Sequence, residues 1–249
     1  MPVRMSNHIS TLSALFEGVE ASVPSTAAGL EIRQVTCDSR KVLPRALFFA
    51  LHGAKADGNA FLRDAVSRGA VAIASEDAPP AAMPPSVAWV RVRDARKALA
   101  ITAANFFGQP AKALQLVAVT GTNGKTTTTS LIDAIIKASG AKTGLFGTIA
   151  YHTPLKDYPA PNTTPESVDL QAFFAEIRDA GGRFAVLEAS SHSLAMDRVW
   201  GCHFAAAVFT RCTSVAVVTG SVPRYFLPSL STAITNGSTG CGLSMEAAE

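Results

Sequence analysis

One segment of the chain combines glycine, lysine and threonine in an order that can bind phosphate. Residues 117–129 read V-A-V-T-G-T-N-G-K-T-T-T-T, an apolar run followed by Gly121, Gly124, Lys125 and Thr126. Glycines let the backbone turn tightly and direct N–H groups at phosphate oxygens, and a helix N-terminus adds partial positive charge. Lys125 would neutralise a β- or γ-phosphate, and the Thr126 hydroxyl would hold Mg²⁺. The segment predicts an ATP-binding loop between a buried strand and a helix.

A glycine turn with an exposed lysine is the alternative interpretation of this segment. Its spacing, G-x-x-G-K-T, is two residues shorter than the common Walker A form. However, a structural turn would not need Gly, Lys and Thr at these positions after a buried strand, and four consecutive threonines are poor helix formers. We therefore predict Lys125 as the catalytic residue. The predicted ATP contacts are Gly121, Thr122, Asn123, Gly124, Lys125, Thr126 and Thr127.

A regular alternation of strands and helices surrounds this loop. The predicted strands are 116–119, 145–148, 184–190 and 204–210. One predicted helix runs from the loop to Gly140 with Leu131, Ile132, Ile135 and Ile136 on one side, and another covers 165–180. Strand–helix repetition of this kind implies a parallel sheet covered on both faces.

Ligands of open parallel sheets bind beyond the carboxyl ends of the strands. Four polar stretches fall at these ends, namely 121–127, Thr148, 188–192 and Thr210. The topology therefore places the candidate site at this edge of the sheet.

The chain before the loop predicts a smaller α/β unit. Strands at 47–51, 71–74 and 87–92 alternate with helices at 61–68 and 95–108. The break near 109–114 predicts a domain boundary. The predicted divisions are a first domain at 1–113, part of a second domain at 114–210, and a divergent tail at 211–249.

Composition excludes several classes of protein. Of 249 residues, 48% are hydrophobic and 16% are charged, which excludes disordered, collagen-like and coiled-coil chains. The net charge of +3 is too small to favour a nucleic-acid surface. No apolar run is long enough for a membrane helix, and the four cysteines form no metal-binding pattern. We expect a cytoplasmic protein with reduced thiols and no nucleic-acid or membrane partner; no protein partner can be inferred.

Three further stretches give the sequence a family resemblance. They are T-C-D-S-R-K-V with L-F-F-A-L-H-G-A-K-A-D-G at 36–42 and 47–58, N-T-T-P-E-S at 162–167, and L-E-A-S-S-H-S-L-A-M-D-R-V at 187–199. Together with G-T-N-G-K-T-T they resemble, from residue 31 to about 210, the Mur ligases, and among them the diamino-acid-adding MurE type. These are cytoplasmic ATP-dependent amide-forming enzymes of peptidoglycan synthesis. The resemblance implies an α/β fold, with a small UDP-binding domain followed by part of a parallel-sheet ATPase domain.

The resemblance also implies substrates and cofactors. The γ-phosphoryl of ATP would activate the D-Glu carboxylate of UDP-MurNAc-L-Ala-D-Glu as an acyl phosphate. The amine of meso-diaminopimelate or L-lysine would then attack, with Mg²⁺ held by Thr126 and Glu188. The implied substrate contacts are Cys37, Ser39 and 54–56 for uridine and diphosphate, and Asn162, Thr163, Thr164, Ser190 and Arg198 for the sugar–dipeptide end.

Simpler roles stay open for several of these residues. Ser39 could be a turn residue, and Thr164 could be the N-cap of the 165–180 helix. Glu188 could be a solvated surface charge. Two other functions stay open. The chain could be a truncated relative that binds UDP-sugar or ATP without catalysis. A small P-loop kinase is the weaker alternative, because it leaves N-T-T-P-E-S unexplained.

The likeness stops abruptly after Thr210. The family continues with an Asp-His pair and a helix that bears a metal-bridging lysine, whereas residues 211–249 contain no Lys, His or Asp. The change suggests a frameshift or a truncated gene, and a genuine short protein with a different tail is the alternative. In either case we expect the third domain, which binds the incoming amino acid, to be missing. The expectations are an open sheet edge and little or no ligase activity in this polypeptide.

Overall fold

A computed structural model describes residues 8–53, 57–211 and 214–222, with only the backbone described for 211 and 214–222. The elements of the first part are β1 (Ser10–Thr11), α1 (Leu12–Leu15), β2 (Ala21–Ser22), β3 (Glu31–Ile32), β4 (Gln34–Thr36), β5 (Ala46–Phe49), α2 (Leu62–Ser67), β6 (Ala70–Ser75), β7 (Ala88–Val92) and α3 (Ala95–Phe106). The elements of the second part are β8 (Gln115–Gly121), α4 (Lys125–Ala138), β9 (Thr143–Phe146), β10 (Ala150–His152), β11 (Asp157–Pro159), α5 (Ser167–Asp179), β12 (Phe184–Glu188), α6 (Ser191–Ala195), β13 (Phe204–Arg211) and β14 (Ser214–Val222).

The first part contains a five-stranded sheet in the order β2-β7-β6-β5-β4. Strands β4 to β7 are parallel, and β2 joins the edge antiparallel to β7. One face packs against α1 and α3 around Leu15, Phe49 and Leu99, and the other packs against α2 around Phe48 and Leu62. Both faces are therefore covered, as the alternation of elements predicts.

The second part contains a seven-stranded sheet in the order β11-β10-β9-β12-β8-β13-β14. The four central strands are parallel, which confirms the predicted parallel sheet. The β10–β11 hairpin and β14 are antiparallel additions that the sequence analysis does not predict. The hairpin strands have only three residues each, too few for a period to show, and their buried residues are Tyr151 and Tyr158.

Strand β14 lies in the segment predicted as a divergent tail. It pairs along β13 from Arg211 with Ser214 to Phe204 with Val222, so β14 rather than β13 is the edge strand of the sheet among the described residues. Residues 212–213 and 223–249 lie outside the described residues.

Helix α5 connects the two sheets. One side buries Phe173, Phe174 and Ile177 in the core of the second sheet, and the other places Ala172 and Ala175 against the α3 core. The packing of α5 therefore fixes the first part of the chain against the second.

The prediction of which side of α4 is apolar and buried is wrong for two residues. Leu131 and Ile135 are 60% and 70% exposed, whereas Thr129 and Asp133 face the sheet and are buried. Asp133 forms an ion pair with Lys137 at 2.7 Å. Only three residues separate β8 from α4, so the loop sets the rotation of the helix and overrides its hydrophobic pattern.

None of the helices in the described part of the chain has the length and apolar character needed to cross a bilayer.

Candidate nucleotide and substrate site

The glycine-rich loop has the predicted strand–loop–helix form. Strand β8 ends at Gly121, two residues beyond the predicted strand 116–119, and α4 begins at Lys125, as predicted. Gly121 and Gly124 have φ values of +136° and +82°, a region that side chains rarely adopt. A Cβ on Gly121 would also overlap the carbonyl oxygen of Thr210. Both the backbone angle and the space therefore require glycine at position 121.

The start of α4 suits an anion. Its N-cap is Gly124, which has no side chain to cap the first N–H groups of this 14-residue helix. The Lys125 ammonium lies over the loop, where its Nζ donates to the carbonyl of Gly121 at 2.7 Å. Uncapped N–H groups and a positive charge at one place fit the phosphates of ATP. Thr126 and Thr127 belong to the same first turn.

Thr210 anchors this loop from the neighbouring strand. Its backbone pairs with Gly121 in the parallel ladder of β13 and β8. The Thr210 hydroxyl donates to the carbonyl of Asn123 at 2.6 Å and lies 3.2 Å from the carbonyl of Thr120. Thr210 is 3% exposed, and its contact with the carbonyl of Thr120 is buried, whereas its contact with Asn123 is part-buried.

We expect Thr210→Val to lower the free energy of unfolding by about 0.5–1.5 kcal/mol, because the part-buried carbonyl of Asn123 loses its donor. Chemical denaturation measures this change, and binding of a nucleotide analogue should weaken with it. Thr210→Ser keeps the hydroxyl and should stay near the wild type. Equal stability of the valine and serine variants would contradict the anchoring role.

Glu188 occupies the carboxyl end of β12, directly beside β8. It is paired with Val119 in the ladder and is 1% exposed, so the alternative of a solvated surface charge is wrong. The Thr148 N–H donates to Oε1 at 3.1 Å, and the Thr148 hydroxyl lies 3.3 Å from Oε2. No Lys, Arg or His among the described residues forms an ion pair with this carboxylate.

This donor set fits a magnesium ion that is shared with phosphate. Mg²⁺ prefers oxygen ligands and is usually held by one or two carboxylates together with substrate phosphates. The part of the chain that the structure describes contains no group of three His, Cys, Asp or Glu residues that could hold a metal alone. Glu188 supplies a buried carboxylate, and Thr126 lies at the start of α4, which packs against β12 and β8.

Thr164 connects the predicted substrate segment to Glu188. The Thr164 hydroxyl, fully buried, donates to the main-chain carbonyl of Glu188 at 2.6 Å and lies 3.0 Å from the hydroxyl of Ser193. The interpretation of Thr164 as a helix cap is wrong, since α5 begins at Ser167 with Glu166 as its N-cap. The predicted start of this helix at residue 165 is too early, because Pro165 still belongs to the extended segment.

Asn162 and Thr163 lie at the outer end of the same segment. The carbonyl of Asn162 accepts a hydrogen bond from the Tyr151 hydroxyl. Burial raises the pKa of Tyr151 to about 12, so this hydroxyl keeps its proton. The hydroxyl of Thr163 lies 3.3 Å from that of Thr148. The Asn162 side chain is exposed and available to a ligand.

Ser190 and Arg198 border this segment. The Ser190 hydroxyl caps α6 by accepting from the N–H of Ser193 at 3.1 Å, a structural role that the sequence analysis does not predict. The Arg198 guanidinium is 12% exposed and donates from Nη1 to the carbonyl of Thr164 at 3.0 Å. Its Nε lies 3.3 Å from a carboxylate oxygen of Glu166. Two contacts therefore fix its orientation and leave N–H groups for another carboxylate.

The predicted uridine contacts Cys37 and Ser39 belong to the first part of the chain, and Lys41 beside them contacts α5 of the second part. Ser39 is buried and opens a short 3-10 helix, Ser39–Lys41, so the turn interpretation is partly correct. Lys41 lies 3.8 Å from a carboxylate oxygen of Asp169 on α5. Burial raises the pKa of Asp169, while Lys41 opposes that shift. Residues 54–56 lie outside the described residues.

Burial raises the pKa of Cys37, and also that of Cys202, to about 12. The thiolate is the reactive form, so we expect both cysteines to alkylate at least about 100-fold more slowly at about pH 8 in the folded chain than in the denatured chain. Peptide mapping after timed iodoacetamide treatment separates them from Cys212 and Cys241. Rapid alkylation of Cys37, which is partly buried, in the folded chain would contradict its raised pKa.

The structure thus joins most of the predicted site residues at one edge. What the sequence analysis misses are the partners that hold them: Thr148, Thr210, Glu166 and Tyr151. From the sequence, Thr148 and Thr210 can be identified only as polar residues at strand ends, and no sequence motif indicates a role for Glu166 or Tyr151. Their contacts join residues up to 90 positions apart and depend on the folded sheet.

Two family models match the chain. One is described as "Mur ligase family, catalytic domain" and matches residues 31–107, and the other is described as "Mur ligase middle domain" and matches residues 119–215. Together they cover more than half of the chain.

Curated relatives match the same region. A "UDP-N-acetylmuramoyl-L-alanyl-D-glutamate--2,6-diaminopimelate ligase" of Solibacter usitatus is 46% identical over 202 residues, which are 80% of this chain and 40% of that protein. A protein of the same name from Geobacter sulfurreducens is 48% identical over 183 residues, 74% of this chain and 36% of that protein. The chain thus spans about 40% of the length of the relatives it matches.

Solved structures show the same fold. A solved structure of a ligase with this name matches with a TM-score of 0.67 and 27% identity. The match covers 85% of this chain and 42% of the chain in that structure. MurF from Acinetobacter baumannii, with a TM-score of 0.51 and 23% identity, shares the fold. The mixed α/β class with parallel sheets is therefore confirmed. The chain belongs to the Mur ligase family of ATP-dependent ligases, of which it carries the N-terminal and middle domains.

Proposed function

We propose that this chain provides the ATP- and UDP-sugar-binding parts of a ligase that adds a diamino acid to UDP-MurNAc-L-Ala-D-Glu in peptidoglycan synthesis. The observation that carries the proposal is the hydrogen bond from Thr164 to the main chain of Glu188. It joins the segment proposed for the sugar–dipeptide to the residue proposed for the metal. Glu188 in turn lies beside the strand that ends in the phosphate loop.

In this reaction the residues of the chain neutralise the charge of the phosphates and position the substrates. Lys125 and the uncapped start of α4 neutralise the phosphates, and Thr126 and Glu188 hold Mg²⁺. Arg198, fixed by Thr164 and Glu166, presents its remaining N–H groups to a substrate carboxylate. When bound, MgATP supplies the γ-phosphoryl group that activates the D-Glu carboxylate as an acyl phosphate. Phosphoryl transfer depends mainly on positioning and charge neutralisation, which these residues provide.

The uridine and diphosphate are proposed to contact Cys37, Ser39 and residues 54–56. The names of the relatives favour 2,6-diaminopimelate over L-lysine as the amino acid that is added. Two of the reactants, ATP and UDP-MurNAc-L-Ala-D-Glu, are nucleotides, so we propose that the protein works in the cytoplasm.

The second candidate is binding without catalysis by this 249-residue polypeptide. Residues 211–249 contain no Lys, His or Asp and so cannot supply the family's bridging lysine or its histidine. We therefore expect the polypeptide, tested alone, to bind both ligands and to form little or no tripeptide.

Titration calorimetry and a product assay test these alternatives. UDP-MurNAc-L-Ala-D-Glu is titrated into the chain, and then a non-hydrolysable ATP analogue with Mg²⁺. Binding of both ligands supports the proposal, whereas nucleotide binding alone favours a small kinase. Mass spectrometry for ATP- and diaminopimelate-dependent tripeptide then separates ligase from binding module.

A further inference from the structure

The Glu188 carboxylate lies in a cradle formed by Gly147 and Thr148, the two residues that follow β9. The Thr148 N–H donates to one carboxylate oxygen at 3.1 Å, and the Thr148 hydroxyl lies 3.3 Å from the other. A Cβ on Gly147 would overlap Oε1 of Glu188. The position of a single buried carboxylate is therefore set by two consecutive residues that follow the neighbouring strand β9.

The same hydroxyl extends the contact to the substrate segment. Thr148 Oγ1 lies 3.3 Å from the hydroxyl of Thr163. A threonine hydroxyl has one proton and two acceptor positions, so Thr163 can donate to Thr148 while Thr148 donates to Glu188. The second connection, from Thr164 to the carbonyl of Glu188, runs beside this one.

We propose that Thr148 is a positioning residue that couples the carboxylate of the metal site to the sugar–dipeptide segment. The inference rests on the proposed function, because it concerns the two ligands named there. A ligand that orders Thr163 also orders Thr148 and hence Glu188. Binding of the UDP-sugar should therefore raise the affinity for the magnesium nucleotide, and thermodynamic linkage requires the reverse effect to be equal.

Two features distinguish this role from general support of the fold. The Thr148 side chain is exposed, so its hydroxyl is not needed to fill the core. Gly147 has no positive φ, so the backbone does not require glycine there. What excludes a side chain at position 147 is the carboxylate itself.

The test compares Thr148→Val with Thr148→Ser. Valine keeps the shape and the backbone N–H but loses the hydroxyl, and serine restores it. Binding of a fluorescent non-hydrolysable ATP analogue is followed against Mg²⁺ concentration, with and without UDP-MurNAc-L-Ala-D-Glu. Thermal unfolding of each variant is the structural readout.

In the wild type we expect the UDP-sugar to tighten nucleotide binding about fivefold or more. Thr148→Val should raise the Mg²⁺ midpoint about 10-fold, the usual effect of losing an outer-shell partner of a metal ligand. It should also abolish the enhancement by the UDP-sugar, with an unchanged melting temperature, and Thr148→Ser should restore both. Gly147→Ala, which displaces the carboxylate, should raise the Mg²⁺ midpoint as well.

Thr26→Val removes an exposed hydroxyl from the first part of the chain and should leave every value unchanged. A wild-type chain that binds both ligands, with Thr148→Val identical to it, overturns this inference and leaves the proposed function standing. A wild-type chain that binds neither ligand overturns both.

Discussion

Replacement of Lys125 with methionine is expected to weaken binding of a magnesium ATP analogue by about 10- to 100-fold, the equivalent of one hydrogen bond to a charged group. The ammonium lies over the loop and contacts its carbonyls, where it would meet the same phosphates as the uncapped N–H groups of α4. Methionine keeps much of the chain length and removes the charge. Direct titration with a fluorescent nucleotide analogue measures the loss.

Lys112→Met is the matched control, because Lys112 precedes β8 at the opposite end of the strand from the loop. It should bind nucleotide like the wild type. Affinity for UDP-MurNAc-L-Ala-D-Glu should stay within about twofold in both variants, the range of most surface substitutions. Equal nucleotide affinity of Lys125→Met and Lys112→Met would remove Lys125 from the proposed site.

Glu188→Gln is expected to lower the affinity for Mg²⁺ in nucleotide binding by at least about 10-fold. The amide keeps the volume of the side chain and can still bond to the N–H and the hydroxyl of Thr148, but it lacks the negative charge that a cation requires. Because the carboxylate is buried without an ion pair among the described residues, its replacement should not lower the melting temperature.

Magnesium titrations at a fixed nucleotide concentration test this expectation. Glu20→Gln is the control, since the Glu20 side chain is 73% exposed and, among the described residues, forms an ion pair with Arg93 alone. A Glu188→Gln chain with the magnesium dependence of the wild type would contradict the metal role. A large fall in its melting temperature would instead show that the carboxylate is structural.

Local signals with a strong physical cause could be predicted from the sequence. Apolar strands that alternate with amphipathic helices predict the parallel sheet. The loop contains glycines because it needs backbone angles that only glycine adopts easily. The edge that carries the candidate site follows from topology, because the carboxyl ends of parallel strands meet there.

Features decided by tertiary contacts could not be predicted. The rotation of α4 is set by the loop before it, so Leu131 and Ile135 are exposed although the pattern places them inside. The sequence position of Thr164 suggests a helix cap, but its hydroxyl donates to the main-chain carbonyl of Glu188, 24 residues away. The roles of Thr148 and Thr210 likewise arise only when β9, β12, β8 and β13 are side by side.

We propose that this edge of the sheet receives UDP-MurNAc-L-Ala-D-Glu beside the phosphate loop. The decisive experiment is calorimetric titration of that compound into the wild-type chain saturated with a magnesium ATP analogue. We expect one saturable site, with affinity lost in Arg198→Ala, because the guanidinium no longer meets the substrate carboxylate. A folded chain that binds the nucleotide but gives no heat with UDP-MurNAc-L-Ala-D-Glu would contradict the proposed site.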